Sequence, residues 1–132
     1  MQDRPTAREL LTAVREFLEA DVVPALDGVT RFHARVAANV LAIVEREMAS
    51  EEQSLLAEWE RLAHLLRVDG EPPARLDSLR TAVRGLTESL VRRIREGETD
   101  REPFGRAVRE HVRETVREKL RVTNPRYLGG ST

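Results

Sequence analysis

The sequence predicts an all-α protein, a bundle of four to five helices around a central apolar helix at about residues 31–48. Apolar side chains recur every three or four residues in several long segments, which is the helical period. No segment alternates with period two over a useful length, so no sheet is expected. Segments that contain proline or glycine separate the periodic stretches and give each helix a place to end.

The central helix is predicted from the stretch FHARVAANVLAIVEREM at residues 32–48. At 100° per residue, Phe32, Val36 and Val40 share one broad face, and alanines line another side. A helix that is apolar over most of its circumference needs cover on several sides, so we expect it at the centre of the fold. There, Val40→Asp should abolish folding, because an unpaired buried charge is costly.

The other helices are predicted from capping residues and periodicity. Thr6 with Glu9 fits a capping box at the start of the first helix, and Ser50 with Gln53 fits another at the start of a third. The fourth segment is read as one long helix or as two with a break near Gly85. The predicted ranges are about 7–20, 50–69, 74–96 and 101–122.

Length and composition predict a single helical domain over residues 1–132, with a short flexible tail at about 128–132. The chain has no cysteine, which excludes disulfides, thiolate metal sites and cysteine nucleophiles. No apolar run approaches the roughly 20 residues of a membrane span, and the amino terminus does not resemble a signal peptide. We therefore expect a cytoplasmic protein without a membrane segment.

No catalytic or metal-binding motif is apparent. The three histidines lack ligand spacing, and the paired Glu-x-x-His motifs of di-iron bundles are absent. There is no glycine-rich phosphate loop, nucleophile elbow or kinase motif. The sequence therefore predicts no catalytic residue, no metal and no cofactor.

The last helix carries a stripe of arginines, which raises the alternative of nucleic-acid binding. Glutamates precede Arg113, Arg117 and Arg121 by three residues each, a spacing for ion pairs within one helix. The net charge of −1 and the scarcity of aromatic side chains also argue against a nucleic-acid partner. We interpret this stripe as a solvated, ion-paired face.

Polar groups beside apolar faces are the candidate ligand or partner contacts. On the central helix, His33 is read either as a buried histidine bonded to a neighbour or as a functional group. Lys119, the only lysine, either extends to the helix end to cap carbonyls or contacts a phosphate or carboxylate. If the carboxy-terminal segment folds back over the central helix, these groups converge at one end of the bundle. The candidate set is His33, Arg35, Asn39, Lys119, Asn124, Arg126 and Tyr127.

Three segments carry a resemblance to a known family: RPTARELLTAVREFLEADVVPAL, FHARVAANVLAIVERE and VREKLRVTNPRYL. Together they resemble a small bacterial family of uncharacterised proteins of similar length. Genes of this family typically lie beside aminoglycoside-phosphotransferase-like kinases and acyl-CoA dehydrogenases, and some of those kinases phosphorylate hydroxyacyl-CoA thioesters. The resemblance implies a non-catalytic accessory protein whose partner is such a kinase or dehydrogenase in acyl-CoA catabolism. It assigns no catalytic residues.

Two other functions stay open at this point. One is a small-molecule protein or enzyme that binds a CoA-type ligand in a polar pocket between helices, formed by His33, Arg35, Asn39 and Lys119. The other is a purely structural homodimer. A core poor in aromatic residues, with long amphipathic helices, favours a homo-oligomer or hetero-complex that covers the remaining apolar surface.

Overall fold

A computed structural model describes residues 3–129, which form five α-helices and no β-strand. The prediction of an all-α protein is therefore confirmed. A π-helical turn at Leu18–Val22 and 3-10 turns at Val23–Ala25 and Glu98–Asp100 join some of the helices. The helices are α1 (Ala7–Phe17), α2 (Gly28–Leu66), α3 (Leu76–Arg95), α4 (Phe104–Thr123) and α5 (Pro125–Gly129).

The amino end of α1 has the predicted capping box. The backbone N–H of Thr6 donates to the Glu9 carboxylate at 2.7 Å, and the N–H of Glu9 donates to Thr6 Oγ1 at 3.2 Å. These two bonds satisfy backbone donors that the first helical turn leaves without partners. After α1 the chain passes through the π-helical turn at Leu18–Val22 and then the 3-10 turn at Val23–Ala25, which contains Pro24.

Helix α2 joins two segments that the sequence predicts as separate helices. The predicted break near Ser50 is wrong, because Ser50 Oγ donates to the carbonyl of Arg46 at 2.9 Å, a bond made inside a helix. No glycine or proline interrupts the chain from Val29 to Leu66, so no residue there forces a stop. The helix ends before Arg67, which has a positive φ of 53°.

The segment predicted at about 74–96 as one long helix, or as two with a break near Gly85, is the single helix α3. Gly85 lies within it without breaking it. The helix ends just ahead of Gly97, whose φ of 83° lies in the left-handed region that glycine adopts at low cost.

The chain divides into two compact units between Ser50 and Glu51, a boundary that falls inside α2. We call the residues up to Ser50 unit 1 and those from Glu51 onward unit 2. Within the predicted tail, Leu128 and Gly129 belong to α5, and residues 130–132 lie outside the described part of the chain. The single domain over residues 1–132 stays a prediction.

Unit 2 contains the main hydrophobic core of the described residues. Leu62 is fully buried, and its neighbours come from the last part of α2, from α3 and from α4. The predicted alignment of apolar residues along these three helices accounts for the cluster. Its buried members are Trp59, Leu62, Ala63, Leu79, Val83, Leu90 and Val108.

In unit 1, the side of α2 that is buried or partly buried is the alanine side, which consists of Ala34, Ala38 and Ala42. Ala38 is 3% exposed, whereas Val40 is 51% exposed and Phe32 is 63% exposed. Small side chains allow the closest approach of another segment, so packing selects that side of the helix. The predicted burial of Phe32 and the valines is therefore wrong, and Val40→Asp would not bury a charge.

Across residues 3–129, none of the helices combines the length and the apolar character that spanning a membrane requires.

Candidate functional site

The most distinctive surface of unit 1 is an uncovered apolar stripe on α2, which we call the valine face. Its six side chains are between 37% and 70% exposed. Contiguous exposed apolar patches of this kind often mark a surface that contacts another protein or a ligand, whereas single exposed apolar residues are common on any surface. The valine face consists of Val29, Phe32, Val36, Val40, Val44 and Met48.

The opposite side of the same helix is attached to α1 by Glu45. Its carboxylate accepts hydrogen bonds from Thr12 Oγ1 and, at 2.5 Å, from Arg15 Nε. These two bonds hold the pKa of Glu45 below its ordinary value, the bond from Arg15 most strongly. Glu45 lies about 140° around the helix from Val40, so this contact directs the valine face away from α1.

Two ionisable residues, His33 and Glu47, lie within the valine face. Each is seven residues from Val40, which places it within about 20° of that residue around the helix. Both are exposed, so the reading of His33 as a buried histidine is wrong. The imidazole instead lies beside the ring of Phe32, with centroids 5.9 Å apart.

Arg35 and Asn39 share a different side of α2. They are one turn apart and both are exposed, as expected for a solvated strip between the valine face and the alanine side. The three candidate residues of unit 1 therefore do not form one group: His33 lies on the valine face, and Arg35 and Asn39 lie beside it.

The other four candidate residues belong to unit 2 and are exposed. Lys119 lies in the penultimate turn of α4. Its positive charge opposes the rise that burial causes in the pKa of the Glu58 carboxyl. Asn124 ends α4, with its N–H donating to the carbonyl of Leu120 at 2.8 Å, and its own carbonyl accepts from the N–H of Tyr127. Arg126 and Tyr127 lie in α5, and Tyr127 is 69% exposed.

A polar network in unit 2, centred on Arg61, has no counterpart in the sequence analysis. The guanidinium of Arg61 forms a bidentate ion pair with Glu118, with N–O distances of 3.1 and 2.9 Å. It also donates to Thr115 Oγ1 and to His111 Nδ1. The partners are 50 to 57 residues away in sequence, so no local spacing indicates them. The one signal in the sequence is that Arg61 stands next to Leu62, an apolar residue of a predicted helix.

His111 is the buried polar residue of this network, at 7% exposure. Burial and the nearby charge of Arg61 lower the pKa of His111, because both disfavour the imidazolium form. Glu58 lies close by, and burial raises the pKa of its carboxyl against the opposing charges of Lys119 and Arg61. Since Nδ1 accepts a bond from Arg61, the neutral ring fits this position.

Unit 2 also has an open cleft of about 1210 Å³. Ala63, Val68 and Phe104 contribute apolar surface, and the guanidinium of Arg93 lies over the Phe104 ring at 4.5 Å from its centroid. Arg93 also donates to Glu98 at 2.6 Å, so its charge is already paired. None of the seven candidate residues lines this cleft.

No group of three or more histidine, aspartate or glutamate side chains suited to a metal ion occurs within residues 3–129.

Fold and surface together define an all-α protein with an uncovered apolar helix face. The chain belongs to the family of the domain of unknown function DUF6285, whose family model matches residues 24–127. This match confirms the prediction of a small uncharacterised family. Neither the curated proteins nor the solved structures include a match to this chain.

Proposed function

We propose that this protein is a non-catalytic accessory protein that acts through protein–protein contact, and that a phosphotransferase-like kinase of acyl-CoA catabolism is its partner. The observation that supports contact as its mode of action is the valine face. Six large apolar side chains lie exposed on one side of one helix, and burying them in an assembly is favourable because it removes their surface from water.

The identity of the partner rests on the resemblance, which implies genes for such a kinase and for acyl-CoA dehydrogenases nearby. An accessory protein that binds a kinase can raise its activity by stabilising the active conformation, since a partner shifts an equilibrium by its difference in affinity for the two states. The proposal therefore requires a physical complex and an effect on the kinase reaction.

The alternative of a CoA-type binding pocket has less support. His33, Arg35, Asn39 and Lys119 would have to line an enclosed site, and all four are exposed. Enclosure is what allows a small-molecule site to bury most of its ligand.

The test is to co-express this protein with the phosphotransferase-like kinase that the resemblance implies beside its gene, and to measure complex mass and kcat/KM for a hydroxyacyl-CoA thioester. We expect a stable complex and at least a severalfold higher kcat/KM. Val40→Asp should lose most of this effect, because it places a charge in the valine face. Val116→Asp is the matched control, since Val116 lies in unit 2 and is 48% exposed, close to the 51% of Val40.

A kinase whose mass and kcat/KM are both unchanged by this protein would contradict the proposal. Equal loss of the effect in Val40→Asp and Val116→Asp would show that the valine face is not the surface involved.

A further inference from the structure

We infer that a second copy of this chain covers the valine face, with the two α2 helices packed antiparallel about a two-fold axis at Val40. The inference rests on the proposed function, in which this face is buried in an assembly, and it names the occupant. The kinase would then contact a dimer.

The valine face is symmetric in composition about Val40. Moving four residues in either direction reaches Val36 or Val44, and moving eight reaches Phe32 or Met48. A two-fold interface pairs residue i with j and residue j with i. With Val40 opposite its own copy, Val36 faces Val44 and Phe32 faces Met48, so large apolar side chains meet between residues 32 and 48 of the stripe, and Val29 lies outside this symmetric part.

The two ionisable residues of the face favour the same register. His33 and Glu47 lie seven residues before and after Val40, so the antiparallel arrangement places His33 of one copy opposite Glu47 of the second copy. The imidazole can donate a hydrogen bond or carry a charge toward the carboxylate, and the symmetry makes this contact twice. A parallel arrangement would instead oppose two Glu47 carboxylates, which repel.

The size of the surface fits a dimer. From Val29 to Met48 the stripe runs for about 28 Å along the helix. The six side chains of the valine face expose on the order of 500 Å² in each copy, so a pair would bury about the 1,000 Å² in total that a specific interface needs.

The test uses cross-linking through single cysteines, which is unambiguous because the chain has no cysteine of its own. Packed helix axes lie about 8–10 Å apart, so thiols at facing positions are within reach of a short bismaleimide. We expect Val40→Cys to form a covalent dimer in high yield. The control is Val116→Cys in unit 2, whose parent residue has similar exposure and should give little product.

The register is tested by His33→Cys and Glu47→Cys. We expect an equimolar mixture of the two variants to give roughly tenfold more cross-linked dimer than either variant alone, since only the mixed pair is opposed. More product from each variant alone than from the mixture would overturn the antiparallel register. Equal yields from Val40→Cys and Val116→Cys would overturn the self-association itself.

Failure of this inference is distinguishable from failure of the proposed function. If Val40→Cys does not cross-link to itself but Val40→Asp abolishes kinase binding, the face is covered by the kinase and only the inference falls.

Discussion

Two ionisable side chains, Glu45 in unit 1 and His111 in unit 2, each contact one arginine that lies far away in sequence. Arg15 supplies the main bond to Glu45, and Arg61 donates to His111. Each contact joins two helices within one unit. Such side chains therefore fix which side of a helix faces its neighbour, an effect that the apolar pattern alone does not determine.

His111 makes the stability of unit 2 dependent on pH. Its folded-state pKa lies below the ordinary 6.5, so below that pH the unfolded chain binds a proton that the folded chain resists. The free energy of unfolding should fall as the pH is lowered through this range. We expect wild type to lose stability relative to His111→Gln between about pH 7.5 and 5.5.

Urea unfolding followed by circular dichroism at fixed protein concentration measures this difference. Glutamine is the suitable replacement because its oxygen can still accept from Arg61 but does not titrate. The comparison also removes the contribution of Glu58, whose raised pKa is common to both proteins. A stability difference that stays constant across the pH range would contradict the assignment.

Among the elements, α3 and α4 each contain one glycine inside the helix, and the two glycines have opposite consequences. A Cβ on Gly105 in α4 would lie 2.1 Å from the backbone carbonyl oxygen of Thr99, whereas a Cβ on Gly85 in α3 would meet nothing within 4 Å. The connection between α3 and α4 therefore passes against α4 at a point that only glycine permits.

We expect Gly105→Ala to reduce the free energy of unfolding by about 2–3 kcal/mol, because a backbone atom cannot give way as a flexible side chain can. Gly85→Ala should instead raise it by about 0.5–1 kcal/mol, since alanine is the better helix former. Chemical denaturation of the two variants beside wild type measures both. Equal effects of the two substitutions would show that the close approach at Gly105 is absent.

The helices of unit 2 could be predicted from the sequence because their burial follows their periodicity. Leu79, Val83 and Leu90 recur at helical spacing and all are buried. Val112 continues the predicted inner face of α4 but is 46% exposed. A pattern indicates which residues share a side and not how far a neighbouring helix extends along it.

The valine face shows the same limit more clearly. Val36, Val40 and Ala38 lie on two sides of α2, and both sides are apolar, so composition alone cannot decide which one packs inside the unit. Small side chains and the Glu45 contact decide in favour of the alanine side. Of the three candidate residues on α2, His33 is the one that lies on the valine face.

For the molecule as a whole, we expect the valine face to be buried by a second copy of this chain and not by folding of the single chain. The most direct test is the mass of wild type and of Val40→Asp by light scattering, together with their circular dichroism. We predict that wild type has twice the mass of the 15.0 kDa chain, and that Val40→Asp has the mass of one chain with unchanged helical content. A wild type of single-chain mass, or a Val40→Asp variant without helical signal, would contradict the claim.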